Sequence, residues 1–209
     1  MKIITMASQK GGSGKSTLAI HLATLSESQG VKTLLVDLDP HSRTTEEWGS
    51  MRESETPVVV PATADELDDI LTQAKNAGFQ QVVLDLPPFV DDETEKATRQ
   101  ADITLIPCRP SFSNVRAIAR SMPKIHPPRF VVLNHCQPRR SGIEASKTSE
   151  VRHLLEEGGI PACPLSITHY VAFDDALNGG ESVTEYEGKG KAAVEIKRLF
   201  KWVNAEIQN

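Results

Sequence analysis

The sequence has few of the residues that build disulfide scaffolds, zinc sites or membrane spans. Its three cysteines, Cys108, Cys136 and Cys163, are odd in number and widely separated, with no C-x-x-C pair. Disulfides and a structural zinc are therefore not expected, and a reducing cytoplasm fits this usage best. No run approaches the ~20 apolar residues of a membrane-spanning helix, and the short apolar start Met1–Ala7 does not fit a signal peptide. We expect a cytoplasmic protein.

An excess of positive charge is also missing. The chain carries 23 Lys and Arg against 28 Asp and Glu, for a formal net charge of -5. This excludes a protein that coats nucleic acid over its whole surface, and leaves room for a local basic patch or one completed by dimerisation. With 209 residues, 39% of them hydrophobic, the composition favours one globular domain over residues 1–209.

Short apolar runs alternate with longer segments of helical periodicity along most of the chain. This rhythm predicts an α/β fold with a mostly parallel twisted sheet and helices on both faces. The predicted strands are Lys2–Ala7, Thr33–Asp37, Val58–Val60, Gln81–Leu86, Ile103–Cys108, Phe130–Asn134 and a short piece at Ala162–Leu165. The predicted helices are Lys15–Ser28, Ala64–Ala77, Glu93–Ala101, Asn114–Met122, Lys147–Glu157, Val171–Leu177 and Lys191–Ile207. Between them, Pro138–Gly142 is predicted to be a long surface loop.

A glycine-rich segment stands between the first predicted strand and the first predicted helix. Here successive main-chain N–H groups can surround a phosphate at the positive end of a helix dipole. Lys15 is predicted to meet the β and γ phosphates, and the Ser16 hydroxyl to bind Mg²⁺. The predicted nucleotide contacts are Gly11, Gly12, Ser13, Gly14, Lys15, Ser16 and Thr17. The alternative is an ordinary glycine turn, but the order of strand, glycines, lysine, hydroxyl and apolar helix is complete.

Two further predicted strands end in aspartates. Asp37 and Asp39 are two residues apart, which directs both side chains to the same side of a strand, toward the nucleotide edge of the sheet. Asp85 follows another apolar strand and precedes a proline turn. A lone aspartate at a strand end is more often a helix or turn cap. After a phosphate loop, however, this spacing fits a metal-binding carboxylate.

Lys10 makes the pattern more specific, because the usual phosphate loop has no lysine there. The segment K-G-G-x-G-K-[ST] resembles the deviant Walker A motif of the ParA/MinD (SIMIBI-type) P-loop ATPases. Asp37-Leu38-Asp39-Pro40 and Ile106–Ser111 resemble further motifs of that family. The resemblance implies that Lys10 reaches a partner's nucleotide across a dimer, that Asp39 positions the attacking water, and that Asp37 and Asp85 support Mg²⁺. The alternative for Lys10 is a solvated lysine at a strand end.

The base-recognition residues are less well defined. Asn134 follows a strand where a guanine-specific enzyme would show N-K-x-D, and the aspartate of that pattern is missing, so ATP is the expected nucleotide. Asn134 resembles the family's adenine-contacting asparagine, and the alternative is a simple turn residue. Pro164 is also predicted to contact the nucleotide. The sequence departs from the family pattern at two positions, which weakens the residue roles that the resemblance implies there. His41 replaces a glutamine, and His169 lies where many members have a DNA-contacting arginine.

The best match is a small ParA-type partition ATPase. By that resemblance, the ATP-bound homodimer binds nonspecific DNA and associates with the nucleoid, and a centromere-binding or other partner stimulates hydrolysis. The predicted DNA contacts are Arg139, Arg140, Lys189, Lys191, Lys197, Arg198 and Lys201. Each of them alone could simply be a solvated charge.

Two other function classes stay open. A MinD-like membrane-surface or protein-cargo positioning ATPase would need a basic amphipathic tail, and the last predicted helix does carry a narrow apolar stripe: Ala193, Ile196, Leu199, Phe200, Val203 and Ile207. Such a stripe is usually core packing, and no membrane partner is expected. A synthetase or amidase of the same superfamily would need a substrate pocket and usually a longer chain. An iron-sulfur relative is disfavoured because the cysteines are in the wrong places.

Overall fold

Seven parallel strands form the centre of the computed structural model, which describes residues 1–208. Their spatial order is β3-β2-β4-β1-β5-β6-β7, and every neighbouring pair is parallel. The strands are β1 Lys2–Met6, β2 Thr33–Asp37, β3 Val58–Pro61, β4 Gln81–Asp85, β5 Ile103–Cys108, β6 Arg129–Cys136 and β7 Ala162–Thr168. The predicted α/β class with a parallel sheet is confirmed.

The helices follow the strands in the predicted alternation. They are α1 Lys15–Ser28, α2 Thr44–Met51, α3 Leu67–Asn76, α4 Asp92–Arg99, α5 Phe112–Ser121, α6 Ser146–Glu157, α7 Val171–Asn178, α8 Val183–Tyr186 and α9 Lys191–Gln208. The predicted helix Ala64–Ala77 begins with a 3-10 turn, which Thr63 and Glu66 cap reciprocally. Helix α5 begins before Asn114 because the Ser111 side chain accepts the Asn114 N–H.

Helix α2 was not predicted, and its N-terminus explains why. The first turn is capped by Asp37 at the end of β2, whose Oδ2 accepts the main-chain N–H groups of Thr45 and Glu46 at 3.0 Å each. Asp37 lies eight positions before Thr45, outside the usual N-cap position, so it leaves no capping signal next to the helix. The α2 helix itself has little apolar periodicity, with only Thr45 and Trp48 buried. Helix α8, a single turn, was also not predicted, although Ser182 and Glu185 cap it reciprocally in a local sequence pattern.

Helices cover both faces of the sheet, so strand residues are buried on both sides. Neighbouring residues such as Leu34 and Leu35 point to opposite faces and belong to different apolar clusters. One cluster holds α1, α7 and α9, and the other holds α3 to α6.

The predicted apolar stripe of α9 is part of this core. Its buried members are Ala193, Ile196, Leu199, Phe200 and Val203, and Ile207 packs beside them. The stripe is therefore used in packing and is not a free membrane face. Across residues 1–208, we find no helix of the length and apolarity that crossing a bilayer requires.

Candidate nucleotide and metal site

The glycine-rich loop joins β1 to α1 with two residues in the left-handed region. Gly12 has φ 67° and Gly14, the residue before α1, has φ 95°. A Cβ on Gly14 would lie 2.1 Å from Asn134 Nδ2, so only glycine fits at this position. The loop and the end of β6 are therefore packed closely against each other at Gly14.

A cavity of about 250 Å³ lies over this loop. Its lining residues are Gly11, Gly12, Gly14, Lys15, Ser16, Thr17, Asp39, Ser42, Thr44 and Pro88. The structure thus brings most of the predicted phosphate-loop residues together with Asp39. Ser42, Thr44 and Pro88 were not predicted. The first two belong to the segment whose helix had no sequence signal.

Lys15 is the buried cation of the site. It is only 7% exposed, and burial lowers its pKa, while the nearby carboxylates of Asp85 and Asp39 oppose that shift. A buried ammonium group with carboxylates beside it can neutralise an anionic ligand entering the cavity. This arrangement matches the predicted role of Lys15 toward phosphates.

Asp85 at the end of β4 is the buried carboxylate next to Lys15. Its Oδ2 accepts a hydrogen bond from Thr45 Oγ1 at 2.7 Å, whereas its Oδ1 has no hydrogen-bond partner among the described residues. Burial raises its pKa to about 6, although the Ser16 and Thr45 hydroxyls lower it. A buried, unpartnered carboxylate oxygen beside a serine hydroxyl fits the oxygen donor set that Mg²⁺ prefers. Ser16 and Asp85 would hold such an ion.

Asp37 is held differently. Its Oδ1 accepts the Asp39 N–H at 3.0 Å, and its Oδ2 accepts the two N–H groups that begin α2. Burial raises its pKa, and these three main-chain donors oppose the rise. Both oxygens are thus bonded to the main chain, so Asp37 fixes β2 to α2. Its predicted support of Mg²⁺ stays a prediction.

Asp39 lies at the edge of the cavity. It accepts the N–H groups of His41 and Ser42 at 3.1 Å each, and the Ser42 hydroxyl at 2.8 Å. Burial alone would raise its pKa, but these hydrogen bonds and Lys15 outweigh it, so the pKa is lowered. An ionised carboxylate facing the phosphate cavity can accept a proton or orient a water. The His41 side chain is exposed, and only its main chain contributes.

Lys10 does not line the cavity over its own phosphate loop. Its Nζ donates to Ser113 Oγ at 3.4 Å, and it borders a neighbouring cavity of about 200 Å³ with Arg109 and Asn114. The Lys10 side chain therefore extends along the surface beside α5. This position is compatible with action on another molecule's nucleotide.

Asn134, near the end of β6, lies on the side of the site where the nucleotide base is predicted, which we call the base side. Its side chain is turned toward the glycine-rich loop. Its Nδ2 donates to the Ser13 carbonyl at 2.8 Å in a buried contact. The amide thus supports the phosphate loop from behind. Its predicted contact with adenine stays a prediction.

Two histidines lie next to Asn134. His135 Nδ1 and His169 Nδ1 are 3.1 Å apart, and their rings stack with centroids 5.1 Å apart. Burial, followed by the nearby charges of Arg109 and His169, lowers the pKa of His135. They border a cavity of only about 20 Å³, together with Asn134, Thr168 and Asp174. His169, predicted to replace a DNA-contacting arginine, is placed at the base side of the site.

The structure does not bring Pro164 to the site. It is an exposed residue near the start of β7, four residues before Thr168, or about 13 Å at the rise of a strand. The sequence predicted only a short extended piece ending at Leu165, but β7 continues to Thr168. The nucleotide edge of the sheet is at the carboxyl ends of its strands, so the predicted contact was placed at the wrong end.

The predicted DNA-contacting residues lie on separate elements. Lys191, Arg198 and Lys201 share an exposed face of α9. Lys197 Nζ donates to the Gly188 carbonyl at 2.6 Å. Arg139 and Arg140 lie in the loop after β6, where Arg139 pairs with Glu144 at 3.4 Å.

Comparisons with known proteins match the geometry. Residues 4–198 match the model of the CobQ/CobB/MinD/ParA nucleotide binding domain. The chain belongs to this family. Its relatives, the P-loop ATPases of the ParA/MinD type, include chromosome-partitioning and carboxysome-distribution proteins.

Two curated relatives and one solved structure illustrate the similarity. Maintenance of carboxysome distribution protein A from Gloeobacter kilaueensis is 29% identical over 93% of this chain and 89% of its own length. Protein ParA from Rhizobium radiobacter is 30% identical over 96% of this chain and 94% of its own. The septum site-determining protein MinD of Pyrococcus horikoshii, complexed with Mg-ADP, superposes with a TM-score of 0.74 at 14% identity, covering 97% of this chain and 95% of that one. This ParA/MinD-family chain shares its fold.

Proposed function

We propose that this chain is a Mg²⁺-dependent ATPase, acting as one domain, that dimerises with ATP and binds nonspecific DNA in that state. The observation that carries the proposal is the pair of lysines in one loop. Lys15 is buried in the phosphate cavity, whereas Lys10 lies outside it beside α5. A second lysine that does not serve its own cavity supports a role across a dimer, where its charge would stabilise the charge that develops in phosphoryl transfer.

The chain's own groups divide the hydrolytic chemistry. Lys15 and the loop N–H groups bind the phosphates, and Ser16 and Asp85 hold Mg²⁺, which supplies charge neutralisation when bound. Asp39 orients the attacking water. Because a lone carboxylate with a lowered pKa is a weak base, hydrolysis is slow until a centromere-binding or other partner stimulates it.

DNA binding follows from charge on the dimer. The overall charge of -5 restricts contacts to local patches, and the exposed basic face of α9 with Lys191, Arg198 and Lys201 is the one that we propose. Two copies of that face in one dimer raise avidity without new contacts. Binding to phosphates is independent of sequence and weakens with salt. Release from DNA after hydrolysis completes the cycle of ATP binding, DNA binding and hydrolysis. The proposed location is the cytoplasm, in association with the nucleoid.

A protein-cargo positioning ATPase is the second candidate. The similarity to a carboxysome-distribution protein over 93% of the chain favours it. It shares the nucleotide cycle of the first candidate and differs in the cargo. A membrane-surface role has less support, because the α9 stripe is buried in the core.

The test measures binding of nonspecific duplex DNA with ADP and with ATP at two salt concentrations, with light scattering to give the mass. Wild type is expected to dimerise and to bind DNA only with ATP, and to lose DNA at high salt. Lys10→Ala is expected to lose both properties, whereas Lys75→Ala, on the exposed face of α3, keeps them. ATP-driven dimers that bind no DNA would favour protein cargo. ATP hydrolysis by a permanent monomer would contradict the proposal.

A further inference from the structure

Helix α2 contacts the metal-site carboxylates at its N-terminus. Thr45 is fully buried, and its hydroxyl donates to Asp85 Oδ2 at 2.7 Å while its N–H donates to Asp37 Oδ2 at 3.0 Å. One residue thus joins the ends of β2 and β4. Any change in the charge or position of Asp85 acts directly on the first turn of α2.

The other end of α2 is fastened to the segment Gly180–Glu185. Trp48, which is 2% exposed, donates from Nε1 to the Glu181 carbonyl at 3.2 Å. Arg52, directly after the helix, donates to the Gly180 carbonyl at 2.9 Å and pairs with Glu185 at 2.8 Å. The Arg52 guanidinium also lies 4.6 Å from the Trp48 ring centroid.

Helix α2 and the segment Gly180–Glu185 are packed too closely for one to slide freely past the other. A Cβ on Gly180 would lie 2.7 Å from the Met51 carbonyl oxygen, so the two main chains touch. The segment is also tied to α1, because Val183 N–H donates to the buried His21 Nδ1 at 3.4 Å. It leads directly to Lys189 and Lys191 at the start of α9.

We propose that Thr45 is a positioning residue that couples Asp85 to the segment Gly180–Glu185 through α2. The inference rests on the proposed function, since it takes Asp85 to be part of a Mg²⁺–nucleotide site. Asp85 Oδ2 is shared with Thr45, and Oδ1 is the unpartnered oxygen. Asp85 would hold the cation through Oδ1, and its Oδ2 would then be a poorer acceptor for the Thr45 hydroxyl, so that this hydrogen bond would weaken or be redirected.

The eight-residue helix carries this change onward. A helix of this length is a rigid body of about 12 Å, and its far end is held by hydrogen bonds and an ion pair. The first turn of α2 therefore cannot move without changing the surroundings of Trp48 and Arg52. The segment Gly180–Glu185 then responds to the state of the metal site.

Tryptophan fluorescence tests the coupling. The chain has two tryptophans, so Trp202→Phe leaves Trp48 as the only reporter. In this background the emission of Trp48 is recorded with ADP plus Mg²⁺ and with ADP plus EDTA, while calorimetry measures ADP binding. We expect a Mg²⁺-dependent change in emission. Thr45→Val is expected to lose this change while still binding ADP, and Thr45→Ser, which keeps the hydroxyl, to restore it.

A matched control is Ser50→Ala, which removes a hydroxyl from the same helix that bonds only to Glu46 within it. It is expected to leave the Trp48 response intact. Coupling is reciprocal, so Glu185→Gln at the far end is expected to shift the affinity for Mg²⁺–ADP, whereas Glu187→Gln, an exposed neighbour, is not.

The outcomes separate the two proposals. If ADP binds with Mg²⁺ but Trp48 emission does not change, or changes equally in Thr45→Val, the ATPase proposal stands and the coupling is overturned. If ADP does not bind under any condition, the proposed function fails and the coupling with it. Should Thr45→Val not fold, the Mg²⁺–ADP affinity of Glu185→Gln against that of Glu187→Gln still decides whether the two ends of α2 are coupled, and equal affinities would overturn the coupling.

Discussion

The phosphate side and the base side of the candidate site are held in different ways. On the phosphate side, Lys15, Asp37 and Asp85 are all buried, and a cavity of about 250 Å³ is already present. On the base side, His135 is half-buried, His169 is exposed, and the cavity is about 20 Å³. The predicted phosphate side is thus built from buried charged groups around an existing cavity, whereas the predicted base side has half-buried and exposed side chains around a small one.

Asn134 is where the two sides meet, and Gly14→Ala tests that junction with the largest expected effect. The substitution places a Cβ against the Asn134 amide and forces alanine to adopt φ 95°. We expect the free energy of unfolding to fall by about 2–4 kcal/mol, combining backbone strain with a lost buried hydrogen bond. Urea denaturation measures it.

A double variant shows whether the clash is the cause. In an Asn134→Ala background, the same Gly14→Ala change is expected to cost only about 1 kcal/mol, from the backbone strain alone. An equal loss in both backgrounds would mean that the loop and the base side are not in contact.

Asp85→Asn sharpens the comparison by removing the buried charge of the phosphate side. The pKa of Asp85 is about 6 in the folded protein and 3.8 in the unfolded chain. Between these two pH values the folded protein holds a proton that the unfolded chain has already lost. Ionisation of this carboxyl therefore costs stability as the pH rises through that window. The asparagine is expected to stabilise the ligand-free protein by about 1–3 kcal/mol at pH 7.5, with a smaller gain at pH 5, while Mg²⁺-dependent activity is lost.

Thermal unfolding at the two pH values measures this effect. The control is Asp92→Asn, an exposed residue in the first turn of α4, which should not stabilise the protein at either pH. A loss of stability in Asp85→Asn would contradict the account, because it would mean that the charge of Asp85 is already compensated in the ligand-free protein.

His169→Ala is the smallest expected change. His169 is exposed, and its described side-chain contact is with the ring of His135. We expect the free energy of unfolding to change by less than about 0.5 kcal/mol. Urea denaturation beside Asn134→Ala gives the comparison, since removal of the buried amide should cost about 1–3 kcal/mol. Similar losses in the two variants would remove the distinction between the sides.

The sequence predicted best where local chemistry decides the structure. Helix α1 begins and ends at the predicted residues Lys15 and Ser28, because the glycine loop precedes it and Gly30, with φ 78°, follows its end. Strands β2 and β5 also have the predicted bounds. Each of these elements is specified by its own residues.

Prediction failed where residues distant in the chain act together. The first turn of helix α2 is capped by the side chain of Asp37, which lies outside the helix. The Thr45 hydroxyl bonds to Asp85, 40 positions away. Neither contact leaves a periodic pattern. Pro164 was predicted at the site, but β7 continues past Leu165 to Thr168, which leaves Pro164 near the start of the strand. His169 finds its partner His135 only through the pairing of β6 with β7.

The central claim is that the glycine loop, Lys15 and the strand-end carboxylates form a nucleotide site. Calorimetric titration of ADP with Mg²⁺ tests it most directly, on wild type, Lys15→Ala and the exposed Lys75→Ala. The account predicts binding by wild type and Lys75→Ala, and none by Lys15→Ala, whose fold is checked by circular dichroism. Equal affinity in all three proteins would contradict it.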